Sequence, residues 1–220
     1  MIIKADKHTC FVFDLDDTLY LEMDYLKSAY KAISYLIEPE HSDELYTEML
    51  EIYFSGNNSF GFLLEKYPKM NLSVEKLLNL YRNHQPKIIL REGVFDLLFE
   101  IKNRGSKIGI ITDGRGNTQR NKIKALGIES MIDKLVISEE FGNEKPAPVL
   151  FESIMKNEAF KQFYFFGDNP NKDFIAPKRL GWCCIGILDN KNIHYKDPSE
   201  LSFEYLPHMF INRFTDIEII

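Results

Sequence analysis

An alternation of segment types limits what this chain can fold into more than any other feature of the sequence. From Gly93 to Ile187, short β-branched or aromatic runs take turns with runs of helical period. Gly93–Arg104 reads as a helix closed by Gly105, Lys107–Thr112 as a strand, Asn117–Leu126 as a helix closed by Gly127, and Lys134–Ser138 as a strand. Pro148–Lys156, Phe163–Phe166, Lys172–Leu180 and Trp182–Ile187 continue as helix, strand, helix, strand. An earlier run, Cys10–Leu15, supplies another buried strand. Strands joined through helices pair in parallel, and the helices cover both faces of the sheet. Right-handed crossovers then place all strand C-termini on one edge, where ligands bind in open α/β sheets.

The expected fold class is α/β: a Rossmann-like parallel sheet with helices on both faces, interrupted by a small helical domain. The interruption is the region from Met23 to His84, which contains no convincing strand. Leu26, Ala29, Tyr30, Ile33 and Leu36 recur at helical spacing. Ser42, followed by Asp43 and Glu44, and Ser73, followed by Glu75, read as helix starts with a hydroxyl cap. Ser55–Ser59 between them reads as a loop, and Pro86 marks the exit. The chain therefore divides into a core of residues 1–20 and 87–220 and a helical insert of residues 21–86. Beyond about residue 190 the patterning is weak.

Composition narrows the class of partner. The 220 residues carry 33 acidic and 27 basic side chains, a net charge of −6, without the basic stripe of a nucleic-acid protein. The longest run free of polar residues, Leu180–Leu188, is too short to span a membrane. Met1–His8 holds no apolar core for a signal peptide. Cys10, Cys183 and Cys184 form neither a disulfide framework nor a zinc pattern, as expected of a reduced, cytoplasmic protein. The five histidines, His8, His41, His84, His194 and His208, are scattered without ligand spacing.

Chemistry-bearing residues collect at the strand ends. Asp14 and Asp16 follow the first strand, Thr112, Asp113 and Gly114 end the second, and Lys145-Pro146 follows the third. Gly167, Asp168 and Asn169, with Asp173 close behind, end the fourth. Helix caps do not account for acids, a hydroxyl and a lysine converging from four strands on one edge.

Phe11-Val12-Phe13-Asp14-Leu15-Asp16-Asp17-Thr18-Leu19-Tyr20 resembles the first motif of the haloacid dehalogenase (HAD) superfamily in its phosphatase form, DxDxT. Ile111-Thr112-Asp113-Gly114 resembles the second motif, Lys145-Pro146 the third, and Gly167-Asp168 through Asp173 the fourth. All four stand in the family's order, each after an expected strand. The helical insert lies where family members carry a cap that closes over the site and contacts the leaving group. The segment Phe54–Phe62 is the expected substrate-facing loop of that cap.

The resemblance implies a role for each residue. Asp14 would be the nucleophile, and Asp16 the general acid that protonates the leaving alcohol and later activates water. Asp14, Asp168 and the backbone carbonyl of Asp16 would hold magnesium, with Asp173 orienting or completing that shell. Thr112 would donate to a phosphate oxygen, helped by the N–H groups of Asp113 and Gly114, and Lys145 would stabilise the transferred phosphoryl group. The charge count agrees: four clustered carboxylates against one lysine require a hard, oxygen-loving cation, and the family makes it Mg2+. Many relatives carry Asn where Asp113 stands. A carboxylate there would repel phosphate, so its side chain should point away, with Arg115 available to offset the charge. Gly114-Arg115-Gly116 is not a dinucleotide loop, because Gln119 stands where its last glycine belongs.

The expected function is a magnesium-dependent phosphomonoesterase acting through an aspartyl-phosphate on a small phosphorylated metabolite, of sugar phosphate or nucleotide type. Neither nucleic acid nor membrane is an expected partner. Two alternatives remain open at this stage: a phosphomutase of the same superfamily, and a non-catalytic phosphate-binding regulatory module. Carbon–halogen cleavage is disfavoured, because it has no use for the acid Asp16.

Overall fold

The computed structural model describes residues 1–156, 160–193, 195 and 197–220; His194 lies outside them. In chain order the elements begin with strand β1 (Ile2–Ile3), strand β2 (Thr9–Phe13) and helices α1 (Glu22–Ile37), α2 (Ser42–Phe54), α3 (Ser59–Lys66) and α4 (Val74–Asn83). Next come α5 (Val94–Asn103), β3 (Lys107–Thr112), α6 (Gly116–Ala125), β4 (Lys134–Ile137), α7 (Ser138–Phe141) and α8 (Pro148–Met155). The chain closes with β5 (Gln162–Gly167), α9 (Pro170–Asp173), α10 (Ile175–Arg179), β6 (Cys183–Ile187), β7 (Met209–Ile211) and β8 (Glu218–Ile219). Contacts divide it into two compact units, Met1–Glu22 with Ile89–Ile220, and Met23–Ile88.

The first unit is built on a six-stranded sheet of order β4-β3-β2-β5-β6-β7, parallel throughout, with helices on both faces. Alternate residues of β2 and β5 serve opposite faces, as strand geometry requires. Cys10, Val12, Phe163 and Phe165 face a core completed by Leu150, Phe151 and Ile154 of α8, Phe174 and the fully buried Trp182. On the other face, Phe13 stacks on Phe166 at 4.7 Å between ring centroids, and Phe11 on Tyr164 at 5.1 Å. Burying both faces makes the strands near-continuous apolar runs.

Two expected elements differ. Lys172–Leu180 is not one helix but the pair α9 and α10. Pro177 cannot donate to the carbonyl of Asp173 four residues back, and its ring crowds that carbonyl, so the helix breaks between them. The weakly patterned C-terminal stretch contains β7, which extends the sheet beyond β6, and β8, which pairs with β1. Strands of two or three residues are too short to show a period.

The second unit is helical. Leu26, Tyr30, Ile33 and Ile37 of α1 pack with Leu45 and Met49 of α2, Leu63 of α3 and Leu77 of α4. Leu36, expected on the apolar stripe, is exposed, and Ile37 takes the place one turn beyond Ile33. Ser73 caps α4 by accepting from the N–H of Lys76 at 3.2 Å, as expected. Ser42 does not cap: a 3-10 turn over Pro39–His41 runs directly into α2, which places Ser42 inside the helix. Phe54–Phe62 is not an open loop. Its end forms the start of α3, capped by Asn58, and Phe60 and Phe62 pack on the unit's core. Among the described residues, no helix is long and apolar enough to cross a membrane.

Candidate active site

Strand β2 is the topological switch point of the sheet, with β3 on one side and β5 on the other. Ligands in such sheets sit beyond the carboxyl ends of the strands at that point. The backbone bond from Asp14 N–H to the Phe166 carbonyl, 2.8 Å, continues the ladder one residue past β2 and places Asp14 at the edge. The chain then turns through Asp17, whose φ of 54° lies in the left-handed region. Asp17 is committed to the turn: its carboxylate accepts from the N–H groups of Glu22 at 2.8 Å and Ile193 at 2.6 Å.

A cavity of about 230 Å³ opens there, lined by Asp14, Asp16, Glu22, Thr112, Lys145 and Asp168 among others. A larger groove at the opposite, N-terminal edge, lined by Lys4, Asp6, His8 and Lys161, gathers no comparable set of reacting groups. Lys145, only 5% exposed, places its ammonium 2.7 Å from Asp14 Oδ1 and 2.7 Å from Asp173 Oδ1. The other oxygen of the fully buried Asp173 accepts from the N–H groups of Asp168 at 3.1 Å and Asn169 at 2.9 Å. Gly167 makes room for this, since a Cβ there would overlap the Asp173 carboxylate.

One oxygen from each of Asp14, Asp168 and Asp173 lies within 4.8 Å of the others. Burial, repulsion from Asp173 and Asp14, and further repulsion from Asp17 hold the Asp168 carboxyl well above its ordinary range. Burial likewise pushes Asp14 up, to about 8, against the pull of Lys145 and with added repulsion from Asp173. Burial alone would push the Lys145 ammonium down, yet Asp14, Asp173 and Asp113 hold it up. Three clustered carboxylates, two of them buried, with one ammonium among them are short of positive charge, and an all-oxygen set so arranged fits a hard divalent cation.

The Asp16 side chain stands outside that triad. Lys122 Nζ is 2.7 Å from its Oδ1, Gln119 Nε2 donates to Oδ2 at 2.8 Å, and the Tyr20 hydroxyl donates to Oδ1. Burial opposes ionisation, but attraction and hydrogen bonding from Lys122, with Tyr20 and Gln119, lower the Asp16 carboxyl below its ordinary value. Gln119 also donates to Thr112 Oγ1 at 2.6 Å.

The remaining site residues are placed as follows. The Asp113 carboxylate is spent on the Lys145 N–H at 2.9 Å and the Lys172 ammonium at 2.9 Å. Lys172, not Arg115, offsets its charge; Arg115 pairs with Glu139 at 2.5 Å on the surface. The N–H of Gly114, expected to face phosphate, already donates to Ser138 Oγ at 2.9 Å. Sequence reasoning missed Gln119, Lys122, Lys172 and Asn192, whose amide reaches Asp168 Oδ2 at 3.4 Å. The only sequence signal for the first two was their spacing, three residues apart on the helix that follows Thr112.

Replacing Lys145 by Met strands Asp14 and Asp173 against each other. Losing one partner of a buried ion pair costs about 3–5 kcal/mol. Urea unfolding at pH 8 should show a loss of that order, and a smaller loss at pH 5, where Asp14 carries a proton.

A doubly covered parallel sheet with an acid-rich, lysine-braced cavity at its switch point makes this an α/β protein with its candidate site at the carboxyl ends of the strands. Residues 11–187 match the family model described as haloacid dehalogenase-like hydrolase, and the chain belongs to that family. It is 30% identical over 199 residues to the glyceraldehyde 3-phosphate phosphatase of Methanocaldococcus jannaschii, covering 84% of this chain and 86% of that one. It is 27% identical over 136 residues to the pyrimidine 5'-nucleotidase YjjG of Escherichia coli, covering 60% and 58%. Among solved structures it resembles the HAD hydrolase YfnB of Bacillus subtilis bound to magnesium, with a TM-score of 0.64 at 17% identity, covering 95% and 96%. The relatives named here by sequence are phosphatases, and the likeness to YfnB is one of fold.

Proposed function

We propose that the protein is a magnesium-dependent phosphomonoesterase of small phosphorylated metabolites, working through an aspartyl-phosphate on Asp14. The observation that carries this reading is the meeting of Asp14, Asp16, Thr112 and Lys145 in one cavity of the first unit. Asp14 Oδ attacks phosphorus as the bond to the leaving oxygen breaks, and Asp16 gives its proton to that oxygen. A bound phosphate ester brings negative charge beside Asp16, raising its proton affinity for this step. Water then attacks phosphorus, Asp16 takes the water's proton, and Asp14 is released with inorganic phosphate.

Thr112 accepts from Gln119, so its own proton is available to a phosphate oxygen. Lys145 faces the carboxylate that is to be phosphorylated and neutralises charge on the transferred group. Asp14, Asp168 and the Asp16 carbonyl would hold Mg2+, with Asp173 as the residue that orients this shell. The cation, when bound, supplies the positive charge that lets an anionic carboxylate meet an anionic ester. The helical unit Met23–Ile88 is read as the family's cap. Three free cysteines, two of them buried, accord with a reducing, cytoplasmic setting.

The test is hydrolysis of p-nitrophenyl phosphate with and without Mg2+, followed by a panel holding glyceraldehyde 3-phosphate and pyrimidine nucleoside monophosphates. Mg2+-dependent release of phosphate is expected. No hydrolysis of any of these by the folded protein with any divalent metal would favour a phosphate-binding module.

A further inference from the structure

We propose that Gln119 and Lys122 are positioning residues that lock the acid–base carboxylate of Asp16 against the phosphate-binding hydroxyl of Thr112. This rests on the phosphatase reading and names a part of the site outside the four sequence motifs.

The argument is geometric. Gln119 and Lys122 lie three residues apart on α6 and so share one face of that helix. Both are buried, at 1% and 4% exposure, and both turn their polar ends toward Asp16. Lys122 takes Oδ1 at 2.7 Å and Gln119 takes Oδ2 at 2.8 Å, so neither carboxylate oxygen is free to rotate. The second amide hydrogen of Gln119 goes to Thr112 Oγ1 at 2.6 Å. The amide cannot be reversed without setting its oxygen against a carboxylate, so its orientation is fixed by charge. One planar group thus sets the distance between the hydroxyl that would bind phosphate and the carboxyl that would protonate the leaving oxygen. Gln119 also fixes Thr112 as acceptor, which directs the threonine's own proton elsewhere.

Stability alone is a poor reason for this arrangement. A buried lysine–carboxylate pair is often no better for folding than apolar side chains of the same volume. The pair does hold the carboxylate that is to exchange the proton in one place, to within the tolerance that proton transfer demands.

A positioned acid matters in proportion to how poor the leaving group is. The experiment compares kcat/KM for p-nitrophenyl phosphate, a good leaving group, with that for phenyl phosphate, a poor one of nearly the same shape. In Gln119→Leu and Lys122→Met, the ratio of nitrophenyl to phenyl rates should rise at least about tenfold over wild type, within the range general acids contribute. The change should fall on kcat more than on KM. Lys122→Arg, which keeps the charge, should bring the ratio back to within about threefold of wild type. Should Lys122→Met fail to fold, Gln119→Leu decides the question. An unchanged ratio, with both substrates slowed equally, would overturn the proposal and leave the two residues a structural role. Failure of the phosphatase reading itself is distinct: wild type would then hydrolyse neither ester.

Discussion

Asp14→Asn should abolish turnover, with kcat/KM for p-nitrophenyl phosphate at least about 10⁴-fold below wild type. Asparagine keeps the shape of the side chain and its place beyond β2, but a neutral amide does not attack phosphorus. Acid-quenched wild type, mixed with substrate, should carry protein-bound phosphate, and the variant none. The same change should not unfold the protein. Asp14 is a buried carboxyl held above its ordinary range, so its charge is a burden on the folded state near neutral pH. Lys145 keeps its partner in Asp173, 2.7 Å away. A melting temperature at pH 8 equal to or above that of wild type is expected. Retained turnover would sink the nucleophile assignment; lost turnover with a collapsed melting temperature would leave it without support.

Metal-free protein should lose stability as pH rises, and Mg2+ should restore more of it at high pH than at low. The sign follows from the two raised aspartates. Unfolded, each carboxyl releases its proton near its ordinary value of 3.8; folded, Asp14 holds it to about 8, and Asp168 is also held well above that value. Between those limits the folded chain binds protons that the unfolded chain does not, so stability falls with rising pH. Mg2+ competes with the same protons for the same oxygens. At a free concentration 100 times its Kd, a ligand adds about 2.7 kcal/mol, or roughly 5–11 °C in a chain of this size. Thermal melts in EDTA and in Mg2+ at pH 5 and pH 8 check this. A gap that is flat or narrows toward pH 8 contradicts the assignment of Asp14 and Asp168 as ligands.

Much of this was readable from the chain. Long alternating segments announced the parallel sheet, because a doubly buried strand such as Phe163–Phe166 leaves an unbroken apolar run between helical stretches. Asp14, Thr112, Lys145 and Asp168 were readable because each directly follows a strand or belongs to a short motif. Lys122 and Gln119 were not. They sit on α6 among Asn117, Arg120, Asn121 and Lys124, and a buried lysine on a polar helix looks like a solvated one until its partner is known. The partner, Asp16, is about a hundred residues away along the chain, and no local pattern carries that distance. Lys172 beside Asp113 was hidden in the same way. Short elements were lost for another reason: β7 and β8 exist through pairing with β6 and β1, not through any propensity of their own.

The central position of β2 also fixes when in the life of a chain the site comes into being. Cys10 pairs with Lys107 on one side and Phe163 on the other. The strand that ends at Asp14 is synthesised before both of its neighbours and waits for β3, then much longer for β5. Contacts so distant along the chain form slowly, and until Gln162–Gly167 emerges, one edge of β2 is unpaired and Asp168 does not exist. The helices of Met23–Ile88, made in the meantime, pack on one another. The cavity beyond β2 is therefore assembled only once β5 has paired with it, which brings Asp168 beside Asp14.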